Sequence, residues 1–295
     1  MAGAVVAALV LLSACAPPAG ALVAATCDGT LVTVASGTVT SSVLTEVSGV
    51  VASREHPGVL WVHNDSGDSA RVFALSAAGE VLRTLSLAGA SATDWEDIAI
   101  GPGPDPSRRY LYVGDIGDNG RSRRSIDVYR VPEPAIDPAA GPLGNGTLTG
   151  TERLTFTYPD GAHNAETLLV DNDGSIFVIT KEPSGTAMIF GAAAGLAAGS
   201  TTVLTAQGSV DLGGLAVGGD IAPAGDAIVL RTYDAVFMFA RPGGSTIAAT
   251  LAGARCDGAL AAEPQGEAIS FAADGNGYLT MSEGTGQPIN TYRVP

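Results

Sequence analysis

Basic and aromatic residues are scarce in this chain. Its 295 residues include 15 Lys and Arg against 30 Asp and Glu, a formal net charge of −15, and Lys181 is the single lysine. Because phosphate groups of nucleic acids bind to basic surfaces, this balance argues against a nucleic acid partner and favours cations or cationic partners. Aromatic residues make up only 5% of the chain, so small aliphatic side chains must fill most of its core.

Sequence motifs of several common enzyme classes are also missing. The three histidines His56, His63 and His163 do not have the spacing of a zinc site. The chain has no Gly-x-Ser-x-Gly motif, no phosphate-binding P-loop and no dinucleotide-binding fingerprint. These absences argue against a histidine-ligated zinc enzyme, a serine hydrolase of the nucleophile-elbow type and an enzyme built on either nucleotide-binding motif.

The first apolar run, Val5–Leu12, is too short to span a bilayer as a helix. It ends in Leu-Ser-Ala-Cys, which resembles a bacterial lipobox, and cleavage there would leave Cys15 as a lipidated N-terminus. A basic n-region is missing, since the first basic residue is Arg54. An ordinary secreted protein and an unprocessed chain are therefore alternatives to a lipoprotein of the cell envelope.

The remainder of the chain has the length of one domain of ordinary size. A proline- and glycine-containing stretch after the lipobox is typical of a short tether. The predicted organisation is a signal and lipobox segment over 1–15, a tether over 16–26, and a single domain over 27–295.

Two cysteines lie outside the signal segment. Cys27 and Cys256 form an even pair in a chain predicted to be exported, which favours a disulfide between them. Such a bond would fasten the first strand of the domain beside its neighbour. Two free buried thiols are the alternative.

Apolar residues do not recur at helical spacing together with helix caps. Short apolar segments bounded by Gly, Pro, Asp and Asn dominate instead, and the chain contains 39 glycines. This pattern predicts an all-β fold made of short strands and tight turns.

An acidic residue opens a short apolar strand five times along the chain. The interval between copies is about 50 residues, the length of one four-stranded blade of a β-propeller, with one longer interval in the second repeat. The five acidic residues are Glu46, Asp97, Glu166, Asp220 and Glu267. The sequence therefore predicts a β-propeller of five blades, or of six if residues 132–158 contain a degenerate blade.

The last repeat lacks an outer strand. Thr30–Val34 forms a strand that belongs to no blade, so we expect it to complete the fifth blade and close the ring. The outer strands of the third and fourth blades are predicted at Thr202–Ala206 and Ser245–Leu251.

The innermost strands of a propeller line a central channel, where the five acidic residues would converge. Such a cluster is unfavourable by charge repulsion unless a cation or protons compensate it. Oxygen ligands suit Ca²⁺, and Glu46, Asp97, Glu166, Asp220 and Glu267 are the predicted metal ligands. The alternative is that these carboxylates accept hydrogen bonds from backbone amides and hold the blades in register.

A second group of polar residues follows the second strand of each repeat. In an antiparallel blade these positions lie at the same end of the channel as the acidic residues. The predicted substrate-binding residues are Asn64, Asp115, Asp118, Asn119, Lys181 and Arg231. Turn formation is the alternative for the acids and amides, and ion pairing within the protein is the alternative for Lys181 and Arg231.

Glu96 and Asp65 are the predicted catalytic residues, each as a general base toward a water molecule on the metal. Asp94 is an alternative to Glu96, because the run Asp94-Trp95-Glu96-Asp97 contains three acids. Trp95 is predicted to be a packing anchor between blades.

Several longer runs resemble a family of exported bacterial propellers, loosely grouped with phytase-like and esterase-like propellers. The resemblance covers residues 43–293 and rests on the following runs: Leu60-Trp61-Val62-His63-Asn64-Asp65-Ser66-Gly67-Asp68, Asp94-Trp95-Glu96-Asp97-Ile98-Ala99, Gly114-Asp115-Ile116-Gly117-Asp118-Asn119, Asn164-Ala165-Glu166, Thr180-Lys181, Arg231-Thr232-Tyr233 and Gln265-Gly266-Glu267-Ala268. It implies a calcium site at the mouth of the channel and hydrolysis of a phosphoester or an ester.

Two functions are consistent with these patterns. The first is a Ca²⁺-dependent hydrolase acting on a small anionic substrate. The second is a non-catalytic propeller tethered to the envelope, which binds a protein or a glycan through its loops. In both cases we expect a monomer outside the cytoplasm that contacts the membrane only through its lipid anchor.

Overall fold

The computed structural model describes residues 20–295, which form 22 strands and two short α-helices. The helices are α1 (Ala21–Cys27) and α2 (Ile247–Leu251), and a 3₁₀ turn covers Pro138–Ala140. Strand β1 (Val32–Val39) precedes the first repeat. The predicted Cys15 and the lipobox lie outside the described residues.

The strands form five antiparallel sheets of four main strands each, which are the blades. Blade 1 contains β2 (Val47–Ala52), β3 (Val59–Asn64), β4 (Arg71–Ser76) and β5 (Val81–Leu87). Blade 2 contains β6 (Trp95–Pro102), β7 (Arg109–Asp115), β8 (Ile126–Pro132) and, after the short β9 (Asn145–Leu148), β10 (Glu152–Thr157).

The other three blades repeat this order. Blade 3 contains β11 (Ala165–Val170), β12 (Ile176–Thr180), β13 (Thr186–Ala192) and, after β14 (Thr201–Val203), β15 (Thr205–Asp211). Blade 4 contains β16 (Gly218–Ile221), β17 (Ala227–Arg231), β18 (Val236–Ala240) and β19 (Arg255–Gly258). Blade 5 contains β20 (Gly266–Phe271), β21 (Gly277–Ser282) and β22 (Gln287–Arg293).

The innermost strands β2, β6, β11, β16 and β20 contact one another in a closed ring. They run in the same direction, since Asp97 contacts Leu168 near the start of one adjacent pair and Gly101 abuts Val170 near its end. We call the end of the channel where these strands begin the mouth, and the end where they finish the base. The β-propeller of five blades that the sequence predicts is confirmed.

Ring closure by the N-terminal strand is also confirmed. Strand β1 pairs antiparallel with β22, with Thr33 opposite Tyr292, and supplies the outer strand that blade 5 lacks. This pairing covers an edge that would otherwise be free to associate with other chains.

Apolar clusters fill the spaces between neighbouring blades. Trp61 and Trp95 share the cluster between blades 1 and 2, and Met238 and Tyr278 share the one between blades 4 and 5. Similar clusters lie at the remaining three interfaces. Trp95 is 1% exposed and serves as the predicted packing anchor.

The long connection after β8 does not form a sixth blade. Its strand β9 pairs in parallel with β5 and adds a fifth strand to the outer edge of blade 1. In the same way, β14 pairs in parallel with β10 at the edge of blade 2. Both connections therefore bridge neighbouring blades at their outer edges.

Two outer strands differ from the prediction. The outer strand of blade 3 is β15, which begins at Thr205, and the outer strand of blade 4 is β19. The segment predicted as a strand at Ser245–Leu251 instead contains α2, because the side chain of Thr246 accepts a hydrogen bond from Ala249 N and caps a helix.

The predicted disulfide between Cys27 and Cys256 is present, with the two Cα atoms 5.0 Å apart. It joins the end of α1 to the outer strand of blade 4. Residues 21–26, predicted as part of a tether, belong to α1, because Leu22 and Ala25 are buried against the propeller. Among the described residues, no helix is long and apolar enough to cross a membrane.

Candidate metal centre at the mouth of the channel

Four of the five inner strands begin with a β-bulge, in which one extra residue has no pairing partner on the neighbouring strand. In blade 4, Gly218 and Gly219 pair with β17 without a bulge. The bulged residues are Ser48, Glu96, Glu166 and Glu267. Three of the four are therefore glutamates at equivalent positions of the mouth, and they are 2–4% exposed.

Glu96 meets two aspartates at the mouth. Asp65, Asp94 and Glu96 each offer a carboxylate oxygen, and these three oxygens lie within 4.8 Å of one another. We call these three residues the acidic cluster. Asp65 follows the second strand of blade 1, whereas Asp94 and Glu96 flank the start of blade 2, so the cluster spans two blades.

Hydrogen bonds to the loop before β6 hold Asp94 in place. The buried carboxylate of Asp115 accepts hydrogen bonds from Thr93 N at 3.1 Å and Asp94 N at 3.2 Å. Arg123 Nη1 lies 2.7 Å from Asp115 Oδ1 and neutralises it. Asp115, predicted to bind substrate, thus positions a member of the acidic cluster.

Gly117 leaves the space in which the cluster assembles. A Cβ atom at this position would collide with Glu96 Oε1 and with Asp94 Oδ2. Its backbone nitrogen donates to Asp94 O at 3.1 Å, so the same residue holds the loop against the cluster.

Glu166 and Glu267 form a second part of the mouth. Lys181 Nζ lies 2.5 Å from Glu166 Oε1 and donates to the Tyr233 hydroxyl at 2.8 Å. The Tyr233 hydroxyl donates in turn to Glu267 Oε1 at 3.0 Å. The other carboxylate oxygens, Glu166 Oε2 and Glu267 Oε2, are buried and have no hydrogen-bond partner within residues 20–295.

Crowding of carboxylates raises several pKa values. Burial, and then repulsion from Glu166 and Asp65, raises the pKa of Glu96 well above its ordinary value. Burial is also the main cause that raises the pKa of Asp65 to about 6 and that of Glu166 to about 7. Burial and the neighbouring Glu267 raise the pKa of Glu283 to about 8. The mouth therefore favours a compensating positive charge.

The chemistry of these donors fits a hard cation. The cluster offers only carboxylate oxygens, which Ca²⁺ and Mg²⁺ prefer, and no His or Cys ligand that would favour zinc. Asp65 and Asp94 are only half-buried, so the cluster opens toward solvent. The unpartnered oxygens of Glu166 and Glu267 add negative charge beside it.

Asp97 has a different position from the one predicted. Its Oδ1 accepts from Ile98 N at 2.8 Å, and its Oδ2 accepts from Leu168 N of blade 3 at 2.9 Å. The carboxylate is fully enclosed, and burial raises its pKa well above the ordinary value. Asp97 therefore joins two blades in register, which is the alternative role that the sequence left open.

Asp220 has the same kind of role between blades 4 and 5. Its Oδ2 accepts from Phe271 N at 2.9 Å and from Ser270 Oγ at 3.0 Å, and its Oδ1 accepts from Ile221 N at 2.8 Å. Arg54 Nη2 lies 3.6 Å from the same carboxylate. Neither Asp97 nor Asp220 is part of the acidic cluster.

Glu46 lies at the rim and is exposed. Its backbone carbonyl accepts from Asp65 N at 2.8 Å, and its charge contributes to the raised pKa of Asp65. Metal binding by Glu46, Glu166 and Glu267 stays a prediction.

Three of the predicted substrate-binding residues use their polar groups within the protein. Asn64 Nδ2 donates to Val43 O and to Asp68 Oδ2, and its Oδ1 accepts from Glu46 N. Asp118 accepts from Arg123 N at 2.7 Å. Asn119 is exposed, and its side chain accepts from Asn164 Nδ2 at 3.2 Å.

Arg231 is not placed to bind a substrate. Its side chain is 0% exposed, and Nη1 donates to Glu263 Oε2 and to Ala268 O, both at 3.0 Å. Lys181 is less enclosed but is engaged by Glu166 and Tyr233. Both cations therefore form the internal ion pairs that were the alternative to anion binding.

His63 and His163 both interact with neighbouring groups of the protein. His63 is completely buried, its Nδ1 donates to Asn64 O at 2.8 Å, and burial lowers its pKa to about 4. His163 lies 3.0 Å from Asp160 Oδ1 and packs against Tyr158 and Phe190.

Sequence reasoning gave too little weight to Asp94, Tyr233 and Glu283. A signal for the correct register is present, because the runs Glu96-Asp-Ile-Ala-Ile, Glu166-Thr-Leu-Leu-Val and Glu267-Ala-Ile-Ser-Phe align when each begins at its glutamate. This alignment places Glu96, rather than Asp97, in line with the other two.

Comparisons with models of protein families and with curated proteins each found no match. Among solved structures, the PQQ-bound aldose sugar dehydrogenase from Streptomyces coelicolor is 13% identical, with a TM-score of 0.48 over 90% of this chain and 98% of that chain. Hydrazine synthase from Kuenenia stuttgartiensis is 12% identical, with a TM-score of 0.42 over 85% of this chain and 96% of that chain. These values carry no inference about function, and the phytase-like and esterase-like grouping stays a prediction.

Proposed function

We propose that the acidic cluster of Asp65, Asp94 and Glu96 binds Ca²⁺, and that the mouth is the active centre of a Ca²⁺-dependent hydrolase of phosphoesters or esters. The observation that supports this most is the convergence of three carboxylate oxygens within 4.8 Å. The buried, unpartnered oxygens of Glu166 and Glu267 beside them support it independently.

The acidic cluster has the open geometry of a catalytic calcium site, in contrast to a structural site that is closed by protein ligands. Three carboxylates provide part of the six to eight oxygens that Ca²⁺ takes, and the half-buried positions of Asp65 and Asp94 leave room for a substrate oxygen. A bound Ca²⁺ would supply the Lewis acidity that polarises a phosphoryl or carbonyl oxygen and favours ionisation of water.

The roles of individual residues differ from those predicted. Asp65 and Glu96 lie within the cluster, so we assign them to cation binding rather than to proton transfer. Glu283 is half-buried, and burial together with the charge of the neighbouring Glu267 raises its pKa to about 8, which favours its protonated form near neutral pH. It is the group suited to donate that proton to a leaving oxygen.

Recognition of the anionic part of the substrate falls to the cation in this proposal. Arg231 is enclosed and paired with Glu263, and Lys181 neutralises Glu166. The enzyme would therefore have a low affinity for its substrate in the absence of Ca²⁺.

Export is part of the same proposal. The disulfide between Cys27 and Cys256 favours an oxidising compartment, since such bonds are rare in the cytosol. We propose that the chain is exported and anchored to the envelope through Cys15.

A non-catalytic binding scaffold is the second candidate. It is favoured by the internal hydrogen bonds of Asn64, Asp115 and Arg231, which account for much of the polarity at the mouth without any substrate. In that case the cation would serve stability alone, and the loops at the mouth would bind a protein or a glycan.

Calcium titration by calorimetry tests the proposal. We expect binding by the mature domain, a loss of at least tenfold in affinity for Asp65→Asn, and no change for Asp257→Asn, an exposed residue on the outer strand of blade 4. Absence of binding by the unsubstituted protein would refute the calcium centre.

Hydrolysis of chromogenic phosphoesters, lactones and esters, with and without a chelator, separates the two candidates. Turnover that is lost with the chelator and in Asp65→Asn supports the hydrolase. Calcium binding without turnover of any of these substrates supports the scaffold.

A further inference from the structure

The base of the channel contains a cavity that the proposed calcium centre does not use. The ends of the inner strands and the residues that follow them enclose about 180 Å³. Its polar lining residues are Arg54, Arg109 and Asn172, and no acidic residue of the described chain lines it. The charged side chains that line this cavity are therefore both basic, with the Asp220 carboxylate 3.6 Å from Arg54 Nη2.

Arg54 brings an incompletely satisfied guanidinium to this cavity. Its Nη2 makes one long hydrogen bond of 3.4 Å to Ile221 O and lies 3.6 Å from Asp220 Oδ2. Its Nη1 is buried and has no hydrogen-bond partner within residues 20–295. A guanidinium carries five N–H donors, and a buried donor without an acceptor is unfavourable, so the structure favours an acceptor at this point.

Arg109 adds a second guanidinium to the same cavity. Its backbone is fixed, because Arg109 N donates to Glu55 Oε1 at 3.1 Å and Arg109 O accepts from Glu133 N at 2.8 Å. Arg109 is exposed, and its side chain makes no hydrogen bond or ion pair within residues 20–295. The guanidinium is therefore available to an external ligand.

We propose that Arg54 and Arg109 bind a small oxyanion, a carboxylate or a phosphate, in the base of the channel. Guanidinium groups match the planar oxygens of both anions and bind them through paired, charge-assisted hydrogen bonds. The inner strand β2, with six residues, separates this site from the acidic cluster by about 20 Å. The site is thus independent of the proposed calcium centre.

Anion titration by calorimetry in the absence of calcium tests this site. The probes are inorganic phosphate and acetate at constant ionic strength, with chloride as the reference anion. We expect one of the two to bind the unsubstituted protein, and Arg109→Gln to bind it at least tenfold more weakly. The preferred probe distinguishes a phosphate site from a carboxylate site.

Arg108→Gln is the matched control, because Arg108 is an exposed neighbour that does not line the cavity. It should leave anion binding unchanged. Equal affinity in Arg109→Gln and the unsubstituted protein, or equal weakening by Arg108→Gln, would overturn the proposal. The same conclusion follows if neither probe binds better than chloride.

Arg54→Gln gives a second test, once circular dichroism shows that it is folded. We expect the same loss of anion binding, whereas Asp65→Asn should retain it. Loss of anion binding in Asp65→Asn would contradict a site at the base, and retained binding in Arg54→Gln would contradict the role of Arg54. Failure of the calcium titration has no bearing on either result.

Discussion

The ammonium of Lys181 lies 2.5 Å from Glu166 Oε1, so the single lysine of the chain is an internal counter-ion of the acidic mouth. The Tyr233 hydroxyl accepts a hydrogen bond from the same ammonium and donates to Glu267. One cation thereby links glutamates from blades 3 and 5. Within residues 20–295, no Lys or Arg forms an ion pair with Asp65, Asp94 or Glu96 of the neighbouring acidic cluster.

Removal of this ammonium should have opposite effects on stability and on calcium binding. We expect Lys181→Gln to lower the free energy of unfolding by about 2–4 kcal/mol, because Glu166 would remain buried without its partner. Calcium affinity should rise severalfold, since a positive charge near the cluster is gone. Urea unfolding and calorimetry measure the two effects, with Arg121→Gln as the control for loss of an exposed charge. Unchanged stability would show that the pair is not a significant interaction.

A methyl group at Gly117 should disrupt the acidic cluster without unfolding the blades. The added Cβ would collide with carboxylate oxygens of Glu96 and Asp94, which must then separate. We expect Gly117→Ala to weaken calcium binding at least tenfold. The matched control is Gly120→Ala in the same loop, where the nearest atom to an added Cβ, Ser122 Oγ, lies at an ordinary contact distance of 3.5 Å. Equal calcium affinities of the two variants would argue against a cation at this position.

Asp97 should matter for stability and not for calcium binding. Its carboxylate is the acceptor for Leu168 N and Ile98 N, and a buried amide without an acceptor costs about 1–3 kcal/mol. We expect Asp97→Ala to lower the free energy of unfolding by at least about 2 kcal/mol, measured in urea, against no change for Asp257→Ala. If Asp97→Ala kept full stability but no longer bound calcium, Asp97 would instead be a metal ligand.

Glu133 should make stability depend on pH. Its Oε1 accepts from Trp61 Nε1 at 2.8 Å and from Ser53 Oγ at 2.5 Å, and burial raises its pKa above the ordinary value. Because the folded pKa exceeds the unfolded one, the folded state binds the proton more tightly. The resulting contribution to stability is complete below about pH 4.5 and is lost as pH rises through the folded pKa.

Glu133→Gln keeps an acceptor for Trp61 and cannot ionise. The free energy of unfolding of this variant, relative to the unsubstituted protein, should therefore increase as pH rises from about 4.5 toward neutrality. Urea unfolding at several pH values measures the difference, with the exposed Glu80→Gln as control. A difference that does not vary with pH would show that Glu133 is ionised equally in both states.

Much of the fold could be predicted because its signals are local. Alternating apolar residues and Gly- or Asp-containing turns recur in each repeat, so the number of blades and the closing strand followed from the sequence. The outer strands were less predictable, since they are short and partly exposed. At Thr246 a helix cap had more influence than the weak strand pattern around it.

The candidate site was predicted only in part, because the repeat in blade 2 was aligned on Asp97 instead of on the adjacent Glu96, which is the bulged residue. Successive strand residues point to opposite faces, so a shift of one residue moves a side chain from the channel mouth to another environment. Glu96 and Asp97 are adjacent in sequence, yet Glu96 joins the acidic cluster and Asp97 binds Leu168 N of the next blade.

The sequence alone determined the all-β class, the fivefold repeat, the disulfide and the acidic character of the mouth, because composition, spacing and turn chemistry are local properties. The tertiary structure decided which acids meet. Asp65 and Asp94 come together only when blades 1 and 2 pack side by side, and Arg231 is enclosed only where blade 5 packs against blade 4. Those distances depend on bulges and on packing between blades, which no short stretch of sequence encodes.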